Sequence, residues 1–337
     1  MLRFRVLITI LGLPLLLPVE SSAQTAREKL INIAKNFTGD ADQILQRVGD
    51  FDFEKFLNSE DTAGLLEDFG IVIHESCHHL NHLISMNNRE SYPQNQGYFI
   101  TKGVDIVSEQ GPVFNSIKLN DFVPDSLKTQ ILRYKTYIGI PQEYLGSQVD
   151  GIYGLVDELC AYYQGTKACF ELYDFYFRYR CNGYKNAVEW AGYVQHIAGS
   201  YFAWYEFRLF ISWYLEYAKQ YNRDVYESCM KNTRLRLAYT LIDNQYGQLI
   251  RDFNTMLEDL AAKLSNGDVK VELAEYKNER SFTILTRHSS NSTSTGVYSI
   301  FSNRIKLLKV LLEGEQNAIL EAFRLKGANL DNYQSYL

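Results

Sequence analysis

Five consecutive residues carry a chemical pattern: His74-Glu75-Ser76-Cys77-His78. On a helix, side chains four residues apart lie one turn apart on the same face. Two imidazoles placed in that way can bind one Zn2+ at ~2.0–2.1 Å each. Glu75 would then stand beside the open coordination position, able to take a proton from a water whose pKa the metal lowers toward ~7. The pattern is therefore an HExxH motif, and the chemistry it implies is hydrolysis by a metal-activated water with Glu75 as general base.

The context suits the motif. It follows the apolar run Ile71-Val72-Ile73, and both x positions are uncharged. Apolar or small residues at Ile73, Cys77, Leu80 and Ile84 recur at helical spacing, which predicts a largely buried helix. Glu60-Asp61-Thr62 offers capping chemistry for its start. Of the remaining histidines, His82 is four residues from His78 and could form a second pair. His79 points about 100° away from His78, and His196 reads as a core histidine. Cys77 reads as a small packing residue.

A catalytic zinc site takes three protein ligands, so a third must come from elsewhere. The motif helix resembles that of the zincin metallopeptidases. Asn81 and Ile84 stand where the metzincin extension would place Gly and His, which disfavours that branch. The segment Val156-Asp157-Glu158-Leu159-Cys160-Ala161-Tyr162-Tyr163-Gln164-Gly165 is similar to the downstream helix of gluzincins. There a Glu at the position of Glu158 is the third zinc ligand, and Asp157 takes the place of the polar residue before it. The acceptor that this family carries further along the helix falls at Tyr162, a departure. A second resemblance competes. Asp150-Gly151-Ile152-Tyr153-Gly154 looks like the Asp-x-x-Tyr-Gly element of aspzincins, which would make Asp150 the ligand. Under both resemblances a phenol at Tyr153 could donate to an oxyanion. The expected site is thus His74, His78 and Glu158 for the metal, with Glu75 and Tyr153 in catalytic roles. The substrate class this implies is a peptide or protein.

These residues need a frame. Before the motif, Ala26 to Lys35 reads as a short amphipathic helix, and Asp50 to Leu57 as irregular. After it, Tyr98–Ile100, Val104–Val107 and Val113–Leu119 read as short strands separated by Gly103 and Gly111-Pro112. Helical periodicity then dominates Leu155 to Tyr179, Ala187 to Tyr221, Tyr226 to Tyr246 and Leu249 to Leu264. Asn266-Gly267-Asp268 reads as a turn, Val269–Leu273 and Phe282–Leu285 as strands, Ser289–Gly296 as a mobile loop, and Ser302–Arg324 as a final helix. The fold class expected is α+β, predominantly α-helical, with a small antiparallel sheet. Residues 24–265 form the catalytic domain, with 266–337 packed on it.

The N-terminus reads as a signal peptide, residues 1–23. Arg3 and Arg5 precede the apolar stretch Val6–Val19, and Ser21-Ser22-Ala23 places small residues before a cleavage site at Gln24. Export to the periplasm or outside the cell is the expectation. Five cysteines leave at least one without an intrachain partner. Ala191–Tyr217 has the length of a membrane span, but His196, Glu206, Arg208 and Glu216 would be costly in lipid, so a buried helix and no stable span are expected. A net charge of −6 and 22% charged residues show no basic excess, which argues against nucleic acid as partner. The 25 tyrosines read as a Tyr-rich core, or as a polar aromatic cleft. The competing reading is an exported α-rich binding or structural protein in which HExxH is not catalytic. Zinc-dependent hydrolysis of a non-peptide amide is a third.

Overall fold

The computed structural model describes residues 25–59, 61–86, 95–265, 269–276, 279–288, 291–301 and 303–337. The expected signal peptide and the Asn266–Asp268 turn lie outside them. Helix α1 (Ala26–Phe37) opens with a capping box. Thr25 Oγ accepts from Glu28 N at 3.2 Å, and Thr25 N donates back to Glu28 Oε2 at 3.0 Å. Helix α2 (Asp40–Arg47) follows. The motif helix is α3 (Thr62–Met86), started where Asp61 Oδ1 accepts from Gly64 N at 2.9 Å.

Strands β1 (Asn95–Thr101) and β2 (Val104–Glu109) form an antiparallel hairpin that packs on α3. The third expected strand, Val113–Leu119, is not one. Tyr214 supplies the partner a ladder would: its hydroxyl accepts from Phe114 N at 3.0 Å and donates to Phe114 O at 3.1 Å. Asn115 Oδ1 then caps a single turn of 3-10 helix at Ser116–Lys118. Three further single turns follow, α4 (Leu119–Phe122), α5 (Asp125–Lys128) and α6 (Gly146–Val149).

The long helices make the body. Helix α7 (Ile152–Glu171) begins three residues before the stretch read as helical and continues through Gly165. A short α8 (Tyr173–Phe175) and a wider turn at Tyr176–Arg180 replace the rest of the helix expected to Tyr179. Helix α9 (Ala187–Tyr221) has the bounds read from sequence. The chain then breaks at Asn232 rather than at Gly247, giving α10 (Arg223–Lys231) and α11 (Thr233–Leu264). Asn232 Oδ1 caps α11 by accepting from Leu235 N at 3.0 Å. Gly247 serves close approach instead of a break, since a Cβ there would meet the Trp204 ring at 3.0 Å.

Strands β3 (Val269–Tyr276), β4 (Glu279–His288) and β5 (Asn291–Phe301) form a second antiparallel sheet in that order. Strand β5 takes in most of the stretch expected as a loop. Its Ser and Thr residues pair in register with β4, Thr286 with Thr293 and Arg287 with Ser292, and threonine suits a pleated ladder. The last helix is split at Gly314 into α12 (Asn303–Leu311) and α13 (Glu315–Phe323), both on α9. The fold is therefore α+β and predominantly helical.

The core runs between α3, α7, α9 and α11. Tyrosines fill much of it, and their hydroxyls find carbonyls: Tyr98 donates to Tyr153 O, Tyr193 to Phe170 O and Tyr246 to Ser200 O. The charges in α9 are answered inside the protein. Glu206, fully buried, takes Arg133 Nη1 at 2.9 Å and Leu132 N at 2.6 Å, and Arg208 reaches Asp243 at 3.2 Å. Among the described residues no helix is long and apolar enough to cross a membrane.

Candidate metal centre

Helices α3 and α7 carry the site, and two glycines bring them together. A Cβ on Gly165 would lie 2.6 Å from Gly70 O, and one on Gly70 would lie 2.8 Å from Cys169 Sγ. A larger residue at Gly165 would push the helices apart, and one at Gly70 would displace the Cys169 side chain. One turn along α3 from Gly70 stands His74, and one turn further His78. Facing them on α7 is Glu158.

Three donor atoms converge there. His74 Nε2 and His78 Nε2 are 3.1 Å apart, and Glu158 Oε2 lies 3.6 Å from the first and 3.5 Å from the second. A tetrahedral metal with ligands at ~2.0–2.2 Å holds its ligand atoms about 3.3–3.6 Å apart. Glu158 is buried, and its Oε2 has no hydrogen-bond partner within the protein. A buried carboxylate oxygen left unsatisfied is costly unless a cation answers it. Among the described residues, His74, His78 and Glu158 form the group that could hold a metal ion.

The surroundings orient the donors. Asp157, the residue before Glu158, takes His78 Nδ1 at 2.5 Å, which leaves His78 Nε2 facing the other two donors. Asp157 is held in turn by Asn81 Nδ2 at 2.7 Å, and Asn81 Oδ1 accepts from Phe99 N in β1 at 2.7 Å. A metal-ligating histidine is usually fixed by such an acceptor. The sequence showed Asp157 only as a position matching the family's polar residue, and Asn81 only as a departure from metzincins. The available signal was Asn81 itself, a polar residue on the apolar face of α3, three residues beyond His78.

The electrostatics split the two imidazoles. Burial pushes the pKa of His74 well below the ordinary histidine value, and the neighbouring His78 pushes it further. Burial also opposes charge on His78, but the carboxylates of Asp157 and Glu158 outweigh it and hold His78 well above that value. Burial raises the pKa of the half-buried Glu75, with the charge on Glu158 adding and that on His78 opposing.

A cavity of about 400 Å3 opens beside the cluster, lined by His74 and Glu75 and by Tyr137 and Tyr162. The Tyr162 and His74 rings meet edge to face, centroids 4.4 Å apart, and the Arg133 guanidinium lies 4.5 Å from the centre of the Tyr162 ring. Its hydroxyl is 3.0 Å from that of Tyr137. So an aromatic wall stands where the resemblance would place an acidic acceptor.

The other residues singled out from sequence sit elsewhere. The Tyr153 hydroxyl accepts from Gly111 N at 2.8 Å and Asn232 Nδ2 at 3.0 Å, and it joins the α7 start to the hairpin end and the α11 cap. Asp150 is outside the three-donor group. His79 stacks on Phe51 at 4.4 Å, and His196 Nδ1 bonds the Tyr176 hydroxyl at 3.1 Å. All five cysteines are unbridged and buried, with Cys77 and Cys160 Sγ atoms 4.0 Å apart behind the ligands. No protein-family model matches the chain, and no curated protein or solved structure matches it significantly.

Proposed function

We propose that this chain is an exported zinc-dependent peptidase, in which His74, His78 and Glu158 hold the metal and Glu75 handles the proton. One observation carries the reading: three donor atoms from two helices converge within 3.1–3.6 Å of one another, close to the spacing of tetrahedral ligands, and the Glu158 oxygen accepts no hydrogen bond within the protein. Zn2+ held there would supply Lewis acidity, lowering the pKa of a water toward ~7 and polarising a carbonyl.

The chain's own groups do the rest. Glu75 adjoins His74 and faces the cavity. A carboxylate whose pKa is raised by partial burial both accepts and returns a proton more readily near neutral pH. Asp157 keeps His78 in the tautomer that points Nε2 at the metal position. Tyr137 takes the donor role that the sequence suggested for Tyr153. Burial first, and then the charge of Glu158, keep its hydroxyl protonated, and with Tyr162 as donor in their shared bond it can donate from the cavity wall to an oxygen gaining charge. Tyr153 does not line this cavity; its hydroxyl accepts from Gly111 N and Asn232 Nδ2 instead.

The test is cleavage of a mixed-sequence fluorogenic peptide pool by protein loaded with zinc. Chelation should stop turnover and zinc should restore it. Glu75→Gln should keep the metal and lose about 10²–10⁴-fold in rate. A zinc-loaded, folded protein that cleaves no peptide in the pool, or a Glu75→Gln variant of near-native rate, would overturn the proposal. The first of those results would favour the binding-protein reading.

A further inference from the structure

The cavity beside His74 does not end at the metal centre. It shares Glu67 and His196 with a second cavity of about 520 Å3, lined further on by Ala63 and Val188. The two make one trough between α3 and α9. From Ala63 to Glu75 it follows α3 for about 18 Å at ~1.5 Å per residue. An extended polypeptide advances about 3.3 Å per residue, so roughly five residues fit.

The lining has a pattern. Ile71, one turn before Glu75, is 49% exposed in the first cavity, and Val188 is 58% exposed in the second. Single exposed apolar residues are common and mean little alone. Here they flank a carboxylate. Glu67 is exposed and makes no hydrogen bond or ion pair with any described residue. Arg180, the cation in the same wall, is already held by Glu189 through two bonds of 3.0 and 3.1 Å. His196, opposite Glu67, gives a hydrogen bond to or takes one from Tyr176. The middle of the trough is therefore a carboxylate that no described cation binds, its charge felt by His196, between two apolar steps.

We infer that this trough binds an extended peptide and that Glu67 selects a Lys or Arg side chain on it. The inference rests on the peptidase reading and names the substrate class of the same site. Glu67 precedes His74 by two helical turns, about 10 Å. That distance is about three residues of extended chain, so the basic residue sits some three positions from the scissile bond. The residue nearer the metal lies over Ile71 and is apolar. Glu67 does not touch the reacting atoms and acts on specificity alone.

The test uses the zinc-loaded Glu75→Gln protein, which keeps the trough and does not consume its ligand. Fluorescent octapeptide libraries with one scanned position fixed as Lys, Gln or Glu are the probes. At one position, Lys should bind about three- to fivefold tighter than Gln, the scale of an exposed ion pair. Adding Glu67→Gln should erase that difference, and Glu67→Lys should turn the preference toward Glu. If Lys and Gln libraries bind alike at every position, or if the Lys preference survives Glu67→Gln, the inference is overturned, even where the native enzyme cleaves peptides. If the preference appears and follows Glu67 but the native zinc protein cleaves nothing, the trough stands and the peptidase reading fails.

Discussion

Two stretches at the start of α7, hardly two turns apart, both looked like chemistry in the sequence: Asp150–Tyr153 and Asp157–Glu158. The structure treats them differently. Tyr153 is fully buried and its hydroxyl accepts two hydrogen bonds, from Gly111 N and Asn232 Nδ2. Glu158 is also buried, yet its Oε2 has no partner and points at two imidazole nitrogens. A buried polar group that is satisfied holds the fold together. One that is unsatisfied and converges with other donors suits a ligand from outside the chain, the reading proposed for Glu158. Residue type and spacing alone cannot separate these cases, because both depend on which neighbours arrive from distant segments.

Variants can sharpen or break that contrast. The largest effect is expected from Glu158→Ala, which should take the protein from about one bound zinc per chain to nearly none while leaving it folded. Retained stoichiometric zinc would move the third ligand elsewhere. Asp157→Asn should come next. It removes the charge that holds His78 and should weaken zinc about 10–100-fold by competition titration, without abolishing binding. An unchanged affinity would make the His78–Asp157 bond structural only. Tyr153→Phe should leave zinc affinity unchanged and cost about 1–3 kcal/mol in denaturant unfolding, since Gly111 N and Asn232 Nδ2 lose a buried acceptor. A loss of metal there would return Tyr153 to the site. The smallest effect belongs to Asp150→Ala, which should keep the zinc and shift stability by less than about 0.5 kcal/mol. Loss of the metal in this variant would favour the aspzincin-like alternative.

The long periodic elements were legible in the sequence. Helix α9 begins and ends where its apolar pattern does, and the start of α3 is announced by Asp61. What misled was punctuation. Gly247 looks like a helix end, but it is helical and serves close packing against Trp204. Val113–Leu119 has strand composition, yet Tyr214, about a hundred residues later, satisfies Phe114 in place of a ladder. In the site, His74, Glu75 and His78 were readable because a single helix sets their spacing. Glu158 was readable only through a resemblance. Asn81, Tyr137 and Arg133 were not, because their roles come from long-range contacts: Asn81 with Asp157, Tyr137 with Tyr162, and Arg133 with Tyr162 and Glu206.

The central claim is that His74, His78 and Glu158 form one metal centre. Its most direct test is calorimetric titration of zinc into chelator-stripped, refolded-checked native protein, paired with thermal unfolding. A single tight site per chain and a rise in the unfolding temperature on loading are expected, both lost in a His74→Ala, His78→Ala double variant. A folded native protein that takes up no zinc, or a double variant that binds it as the native protein does, would contradict it.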